Sequence, residues 1–339
     1  METAHRGRQS FVFLKRPAIL SYASVAGKKE SEGPLADSFD ITSQDTTFGQ
    51  KSWEKAETQM QKTVFELALE KANLKKEQLD AAFMGDLLNQ CVGSSFTMRN
   101  NGVPTFGLYG ACSTMAESLL LAGMSISGGF CRRVLAMTSS HFASSERQYR
   151  FPLGYGGQRT PTAQWTVTGA GAIILGQESD GPYLESGTVG TIEDLGIKDA
   201  NNMGAAMAPA AFQTIKTHFE DLNRGPEDYD LILTGDLGKL GHSIVADLFA
   251  KEGISLGNRY EDCGMLIYDL EGQDVHCGGS GCGCSASVLC GHLLGRMQEK
   301  ELRRILFCGT GALLSPLTTQ QGESVPAVCH AVSITTERS

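Results

Sequence analysis

Residues 64–87 of this chain read VFELALEKANLKKEQLDAAFMGDL, and residues 214–237 read TIKTHFEDLNRGPEDYDLILTGDL. The two stretches align without a gap at a constant offset of 150 residues, and seven of their 24 positions are identical. Each one has the periodicity of an amphipathic helix, then a polar turn and a short apolar run that ends at Gly-Asp. Continuous apolar runs of this kind are typical of buried parallel strands. The chain therefore contains a duplicated helix-strand unit.

A second match lies downstream of the first in both copies. Residues 110–113 (GACS) open a periodic helix that is followed by RRVL at 132–135, and residues 282–285 (CGCS) open another that is followed by RRIL at 303–306. Because both matches occur in the same order, we predict two similar halves, residues 1–185 and 186–339. The expected fold class is α/β, with a mostly parallel sheet in each half and helices on both faces.

Composition excludes several functional classes. Hydrophobic residues make up 41% of the 339-residue chain and charged residues 20%, as expected for a compact globular protein. The formal net charge of -9, without long runs of one sign, predicts no nucleic-acid partner. The apolar runs are too short to cross a bilayer, and the N-terminus has no apolar leader, so we expect a protein that is not secreted. The ten cysteines are then expected to be free thiols.

Cys112 is the main candidate for chemistry. A thiol in the first turn of a helix lies at the positive end of the helix dipole, which lowers its pKa and makes it nucleophilic. The alternative is a small buried residue that lets a helix pack tightly. Cys282 and Cys284 lack the spacing of a zinc motif, so no metal site is predicted.

Three motifs resemble the thiolase and 3-ketoacyl-acyl-carrier-protein synthase superfamily. They are GACS at 110–113, TGAGAIIL at 168–175 and GTGALLS at 309–315. The resemblance implies a thiolase-like fold, in which duplicated βα halves pack as a five-layered α-β-α-β-α sandwich. It also implies that Cys112 matches the cysteine that carries an acyl thioester in that superfamily.

The chain departs from the superfamily at two positions. Where the condensing enzymes place a first His, residues 234–237 read TGDL, and where they place a second His or Asn, residues 281–283 read GCG. Those side chains normally stabilise the thioester carbonyl and help to form the carbanion. Their replacement predicts no catalytic residues and leaves Cys112 as a vestigial nucleophile. The alternative is a residual acyl-thioester transferase or condensing enzyme that uses Cys112.

Longer strings resemble a stage V sporulation branch of the superfamily from endospore formers. This resemblance implies a non-enzymatic component that binds dipicolinic acid (dipicolinate) in the machinery that takes it into the developing spore, with a further role in release on germination. It implies a peripheral position on the cytoplasmic face of the forespore or spore inner membrane, beside integral membrane subunits of the same complex. A homodimer and calcium bound with the ligand stay open; no other cofactor is expected. The strings are GPL at 33–35, GDLLNQ at 85–90, FGLYGACST at 106–114, TSSH at 138–141, ERQ at 146–148, GGQ at 156–158, AMAPA at 206–210, LTGDL at 233–237, GGSGC at 278–282 and TGALLSP at 310–316.

The ligand pocket is predicted at the carboxyl ends of the strands and at the start of the Cys112 helix, where amides could bind carboxylates. Alternatives are that His141 caps a loop and that the glycines relieve crowding between helix and strand. Arg147 and Arg150 are read as surface charges. Asp86 and Asp236 are expected to share a structural role, such as bonding turn amides, and are not counted as ligand residues. The predicted ligand-binding residues are Cys112, Ser113, Ser140, His141, Gly281, Cys282 and Thr310.

Overall fold

The computed structural model describes residues 3–149 and 159–338, so the features predicted at Arg150 and at residues 156–158 lie outside the described residues. In chain order the strands are β1 (His5–Arg6), β2 (Ser10–Val12), β3 (Ala18–Ala26), β4 (Ile41–Thr42), β5 (Ala81–Gly85), β6 (Thr105–Leu108), β7 (Val134–Ser140), β8 (Trp165–Thr166), β9 (Gly169–Gly176), β10 (Tyr183–Thr188), β11 (Leu231–Thr234), β12 (Tyr260–Asp262), β13 (Gly279–Ser280), β14 (Arg304–Ala312) and β15 (Ala327–Thr335).

The helices are α1 (Trp53–Lys71), α2 (Val92–Met98), α3 (Thr114–Ser127), α4 (Phe142–Tyr149), α5 (Met203–Leu222), α6 (Gly238–Lys251), α7 (Cys263–Leu266), α8 (Cys282–Val288), α9 (Leu294–Gln298) and α10 (Pro316–Gln320). A 3-10 turn, Ala111–Ser113, precedes α3, and a π-helical turn, Leu289–Leu293, joins α8 to α9. None of the helices in the described ranges is long and apolar enough to cross a membrane.

The strand order confirms the duplication. The first half forms the order β6-β5-β7-β9-β3 and the second forms β12-β11-β14-β15-β10, so the two halves have the same topology. They join where Tyr183 of β10 pairs with Ala18 of β3. The predicted boundary between residues 185 and 186 falls inside β10 and stays a prediction.

The sheets are less parallel than expected. In the first half β5 pairs in parallel with β6 and β7, but β9 runs antiparallel to both β7 and β3. The end of β7 lies beside the start of β9, with Ser140 opposite Gly169. Because the chain re-enters the sheet at the edge where it left, the new strand must run antiparallel.

Alternating strand residues produce the layers. On β5, Ala82 and Met84 join the apolar cluster under α1, whereas Ala81 and Phe83 face the cluster that surrounds α3 and α8. On β14, even positions such as Leu306 likewise face α5 and α6, and odd positions face the central helices. Three apolar clusters separated by two sheets make the five-layered α-β-α-β-α body that the resemblance implied.

The identical residues of the repeat have the same structural duties in both copies. Asn73 and Asn223 follow α1 and α5 and both adopt left-handed backbone conformations, with φ of 50° and 51°. Asn tolerates this conformation better than most residues. Asp80 accepts hydrogen bonds from the amides of Arg132 and Arg133, and Asp230 accepts the matching bonds from residues 303 and 304. The residues that are identical in the two copies therefore lie where the chain turns from helix to strand.

An ionic cluster holds the second sheet to the start of the first. Glu185 on β10 pairs with Arg16 at 3.1 Å, Arg224 at 2.7 Å and Arg304 at 3.2 Å. Burial alone would raise the pKa of Glu185, but the bonds and charges of the arginines lower it to about 2. The ionised carboxylate thus links β10, β14, the end of α5 and the segment before β3.

Candidate functional site

A pocket opens where residues of the two repeats meet, above the turn that precedes α3. It encloses about 460 Å³ of space free of protein atoms, part of it open to solvent. Its apolar wall is formed by Leu87, Ala111, Met203, Ala312 and Leu314. Its polar side chains are those of Cys112, Ser145, Glu146, Tyr149, Thr166 and Ser280.

The backbone around Cys112 is held tightly against the second half. Ala111 has a left-handed φ of 52°, and the Oγ of Ser113 donates to the carbonyl of Gly110 at 2.7 Å. A Cβ built on Gly311 of β14 would lie 2.7 Å from that same carbonyl. Only glycine at 311 therefore lets this turn pack so closely on β14.

At the floor of the pocket Cys112 covers Asp236, which is buried and does not itself line the pocket. Its Oδ1 accepts a hydrogen bond from Thr310 Oγ1 and its Oδ2 accepts one from the amide of Gly281, each at 2.8 Å. The thiol of Cys112 also donates to this carboxyl. Burial raises the pKa of Asp236 to about 6, although these three bonds favour the ionised form. Asp236 thus bonds a turn amide, as expected, and it also bonds the side chain of Thr310.

Asp86, its counterpart in the first repeat, does what was expected of both. Its Oδ1 accepts from the amide of Leu88 at 3.0 Å, and its Oδ2 accepts from the amide of Ser94 at 2.8 Å. In the second repeat Asp262 takes over this duty, because it accepts the amides of Leu237 and Gly238. Asp236 instead bonds the amide of Gly281 and the hydroxyl of Thr310.

The thiol of Cys112 is not activated. Burial, and then the neighbouring Asp236, raise its pKa well above the ordinary value. This overturns the expected lowering by a helix start, because Cys112 belongs to a short 3-10 turn whose dipole is small beside the desolvation of a buried thiolate. Cys112 is therefore a protonated thiol at neutral pH.

Cys282 occupies the corresponding start of α8. It is fully buried, forms one apolar cluster with Cys112 and Leu87, and directs its Sγ to the carbonyl of Ser139 at 3.0 Å. Burial again raises its pKa. The predicted residues Cys112, Gly281, Cys282 and Thr310 are thus brought together around Asp236.

The other predicted residues lie behind the pocket wall. Ser113 is committed to Gly110, as described above. Ser140 Oγ donates to the carbonyl of Val167 at 2.6 Å, and the buried ring of His141 lies 2.8 Å from the carbonyl of Thr46. His141 thus has the placement expected of a loop cap. The ligand roles of Ser113, Ser140 and His141 stay predictions.

Glycines near the floor are explained by crowding. A Cβ on Gly283 would lie 2.4 Å from the carbonyl of Gly169 and 2.5 Å from the amide of Ser140. On Gly171 it would lie 2.4 Å from the carbonyl of Ala286. These positions let α8 pack closely on β9 and β7, as the alternative reading proposed.

Comparison with known proteins places the chain in a family. A family model described as Stage V sporulation protein AD (SpoVAD) matches residues 7–335. The Stage V sporulation protein AD of Bacillus subtilis (strain 168) is 46% identical over 326 residues, which cover 96% of each chain. The chain belongs to the Stage V sporulation protein AD family.

Solved structures similar to this family member are condensing enzymes. The 3-oxoacyl-[acyl-carrier-protein] synthase III of Aquifex aeolicus VF5 is 15% identical, with a TM-score of 0.56 and coverage of 94% of this chain and 99% of its own. Cerulenin-bound OleA of Xanthomonas campestris is 14% identical, with a TM-score of 0.61 and coverage of 96% and 98%. At these identities the similarity shows a shared thiolase-like fold alone.

The sequence reasoning missed five polar pocket residues of this family member: Ser145, Glu146, Tyr149, Thr166 and Ser280. Thr166 Oγ1 donates to Glu146 at 3.0 Å, and the hydroxyl of Tyr149 donates to the carbonyl of Leu87 at 2.6 Å. Ser145 is 2% exposed and its Oγ has no hydrogen-bond partner among the described residues. The string ERQ at 146–148 was a signal near this wall, but the spacing of polar residues could not show which side of α4 faces the pocket.

The charged residue of α4 outside the pocket is Arg147. It pairs with Glu54 and lies over the ring of Trp53, so it is the surface charge that was expected. No group of three His, Cys, Asp or Glu side chains within residues 3–149 and 159–338 is arranged to hold a metal ion.

Proposed function

We propose that this chain binds dipicolinate without transforming it, as a component of the machinery that takes dipicolinic acid into the developing endospore. Membership of a sporulation family supports the setting. The pocket at the junction of the two repeats supports a small-molecule ligand, because such pockets combine apolar walls with a few polar groups.

One observation carries the non-enzymatic part of the proposal. The floor joins the protonated thiol of Cys112 to the carboxyl of Asp236, and the described lining contains neither His nor Asn. A condensing reaction needs a thiolate and neutral donors aimed at the thioester oxygen. A buried carboxylate at that position raises the pKa of the thiol and would repel a developing oxyanion. The floor is therefore suited to holding a ligand rather than to acyl transfer.

The walls suit a flat aromatic ring with polar ends. Leu87, Met203 and Leu314 offer apolar surface to the ring, and Ser145 offers a free hydroxyl to a carboxylate. Glu146 lies on the same wall. Calcium favours carboxylate oxygens and would bridge the ligand to this wall, so binding has to be measured with and without it.

Equilibrium titration of the purified protein tests the proposal directly. Dipicolinate should bind saturably, and isophthalate, which keeps both carboxylates and lacks the ring nitrogen, serves as the comparison ligand. Both titrations are repeated with calcium. If dipicolinate gives no saturable binding in either condition, the chain is not the binding component, and a purely structural scaffold becomes the better description.

An acyl-thioester transferase is the second candidate, favoured by a cysteine on the pocket floor and by the condensing-enzyme fold. Incubation with acyl thioesters, followed by intact-mass measurement, should leave the protein unmodified under the binding proposal. A stable adduct that disappears in Cys112→Ala would establish the transferase instead.

We also propose peripheral attachment at the cytoplasmic face of the forespore or spore inner membrane, through integral subunits of the same complex, with a role in release on germination. A binding component can serve transport only where a membrane subunit receives its ligand. Membrane fractionation of sporulating cells should find the chain in the pellet only when those subunits are present. Equal recovery in cells that lack them would contradict the attachment.

A further inference from the structure

A groove of basic side chains lies between the start of α1 and α2. Lys55 and Lys62 line it from α1, and Phe96 and Arg99 line it from α2 and the residue that follows. The guanidinium of Arg99 lies 4.7 Å from the centre of the Phe96 ring. Three cations therefore surround one groove in a chain whose formal net charge is -9.

The positive charge of this groove is not neutralised within the described residues. None of Lys55, Lys62 and Arg99 forms an ion pair there. The acidic residue of the lining, Glu54, is paired with Arg147 instead. The groove therefore attracts anions locally, although the net negative charge of the protein repels them.

Shared lining residues connect this groove to the pocket. The groove has Glu54 and Val92 in common with a shallow cavity beside α4, and that cavity shares Asn89 with a third cavity at Tyr109. The third cavity in turn shares Ala111, Tyr149 and Leu314 with the Cys112 pocket. The cavities therefore adjoin one another in a series, here called the path, from the cations to the Cys112 pocket.

We propose that this basic groove is the entry route of the anionic ligand, which it attracts and delivers along the path to the Cys112 pocket. The inference rests on the proposed function, because the ligand is taken to be a small dianion. Electrostatic focusing of this kind raises association rates by about 10-fold to 1,000-fold. Because the three cations lie outside the pocket, they act mainly on the approach of the ligand. They should therefore raise the association rate more than they change the release rate.

Stopped-flow fluorescence of dipicolinate binding tests the route. The triple variant Lys55→Gln, Lys62→Gln, Arg99→Gln removes the groove's charge, and the control Lys75→Gln, Lys251→Gln, Arg303→Gln makes the same change of net charge at exposed positions that line none of the connected cavities. Rates are measured at about 0.01 M and about 0.15 M salt, where the Debye length is ~30 Å and ~8 Å. Thermal melts check that both variants are folded.

At low salt the groove variant should bind dipicolinate about 5-fold to 10-fold more slowly than the control, with the release rate changed less than the association rate. The difference should shrink at the higher salt concentration. Equal rates in the two variants would overturn the entry route and leave the binding function intact. Faster release with unchanged association would also overturn it, because the cations would then hold the bound ligand rather than guide its entry. If wild type binds no dipicolinate, the proposed function fails and the route fails with it.

Discussion

Asp236→Asn is the substitution that most directly tests the chemistry of the pocket floor. Asp236 is 1% exposed, and burial raises its pKa from the usual 3.8 to about 6. When folding raises the pKa of an acid, its full contribution to stability is present only below the pKa that the group has in the unfolded state. Its ionisation therefore reduces stability as the pH rises from about 4 to about 6 and beyond.

The size of the effect follows from the shift. About two pKa units correspond to about 3 kcal/mol lost in total from the free energy of unfolding. About half of this is lost by pH ~5, and the remaining ~1.4 kcal/mol is lost between pH ~5 and pH ~8. Asn does not ionise, so this part of the pH dependence disappears in the variant.

Urea denaturation at about pH 5 and about pH 8 measures the difference. Asn keeps an oxygen for the amide of Gly281 and loses the bond from Thr310, which costs about 1 kcal/mol at both pH values. The stability of Asp236→Asn relative to wild type should therefore rise by about 1 to 2 kcal/mol between the two. Asp247→Asn makes the same change on the exposed face of α6 and should show no such rise. A constant offset between Asp236→Asn and wild type would refute a raised pKa at this carboxyl.

Three further outcomes are expected. Ser145→Ala should weaken dipicolinate binding about 3-fold to 10-fold in calorimetry without lowering the Tm, because the Oγ of Ser145 has no hydrogen-bond partner before the ligand arrives. Ser243→Ala on α6 is the control. Unchanged affinity in Ser145→Ala would show that Ser145 does not contact the ligand. Glu185→Gln should lower the free energy of unfolding by about 3 kcal/mol near neutral pH. The difference in stability between wild type and the variant should shrink as the pH falls from 4.5 towards about 2. A difference independent of pH would contradict the ionic role of Glu185. We expect a homodimer to form through the edge strand β6, where Phe106 is 57% exposed and stacked on Phe83. Phe106→Glu should therefore give monomers in light scattering. A wild-type protein that is already monomeric would exclude this interface.

The repeat could be recognised in the sequence because its identical residues have local structural roles. Asn73 and Asn223 end helices and Asp80 and Asp230 fix turns, so the same local requirement preserved the same residue twice. The helix predicted at the start of residues 64–87 was likewise found, as the later part of α1, because apolar spacing directly reflects which face is buried.

The chemistry of the floor was not readable in this way. The raised pKa of the Cys112 thiol depends on burial and on Asp236, which is 124 residues away in the chain. Equivalent positions in the repeats also misled, because Asp262 took over the turn in the second copy and freed Asp236. Ser145 gave no signal, since the direction of α4 after β7 is set by tertiary packing.

The equivalence of Cys112 and Cys282 has a consequence for how a symmetric molecule is oriented. Cys112 lines the pocket and Cys282 is buried behind it, and the walls combine Ser145 and Glu146 from the first half with Met203 and Leu314 from the second. Dipicolinate has two interchangeable ends, and such walls would hold them in unlike surroundings. Its monomethyl ester, whose ends differ, should therefore bind in a single orientation. A pocket formed by two repeated halves would in this way bind the two chemically identical ends of dipicolinate differently.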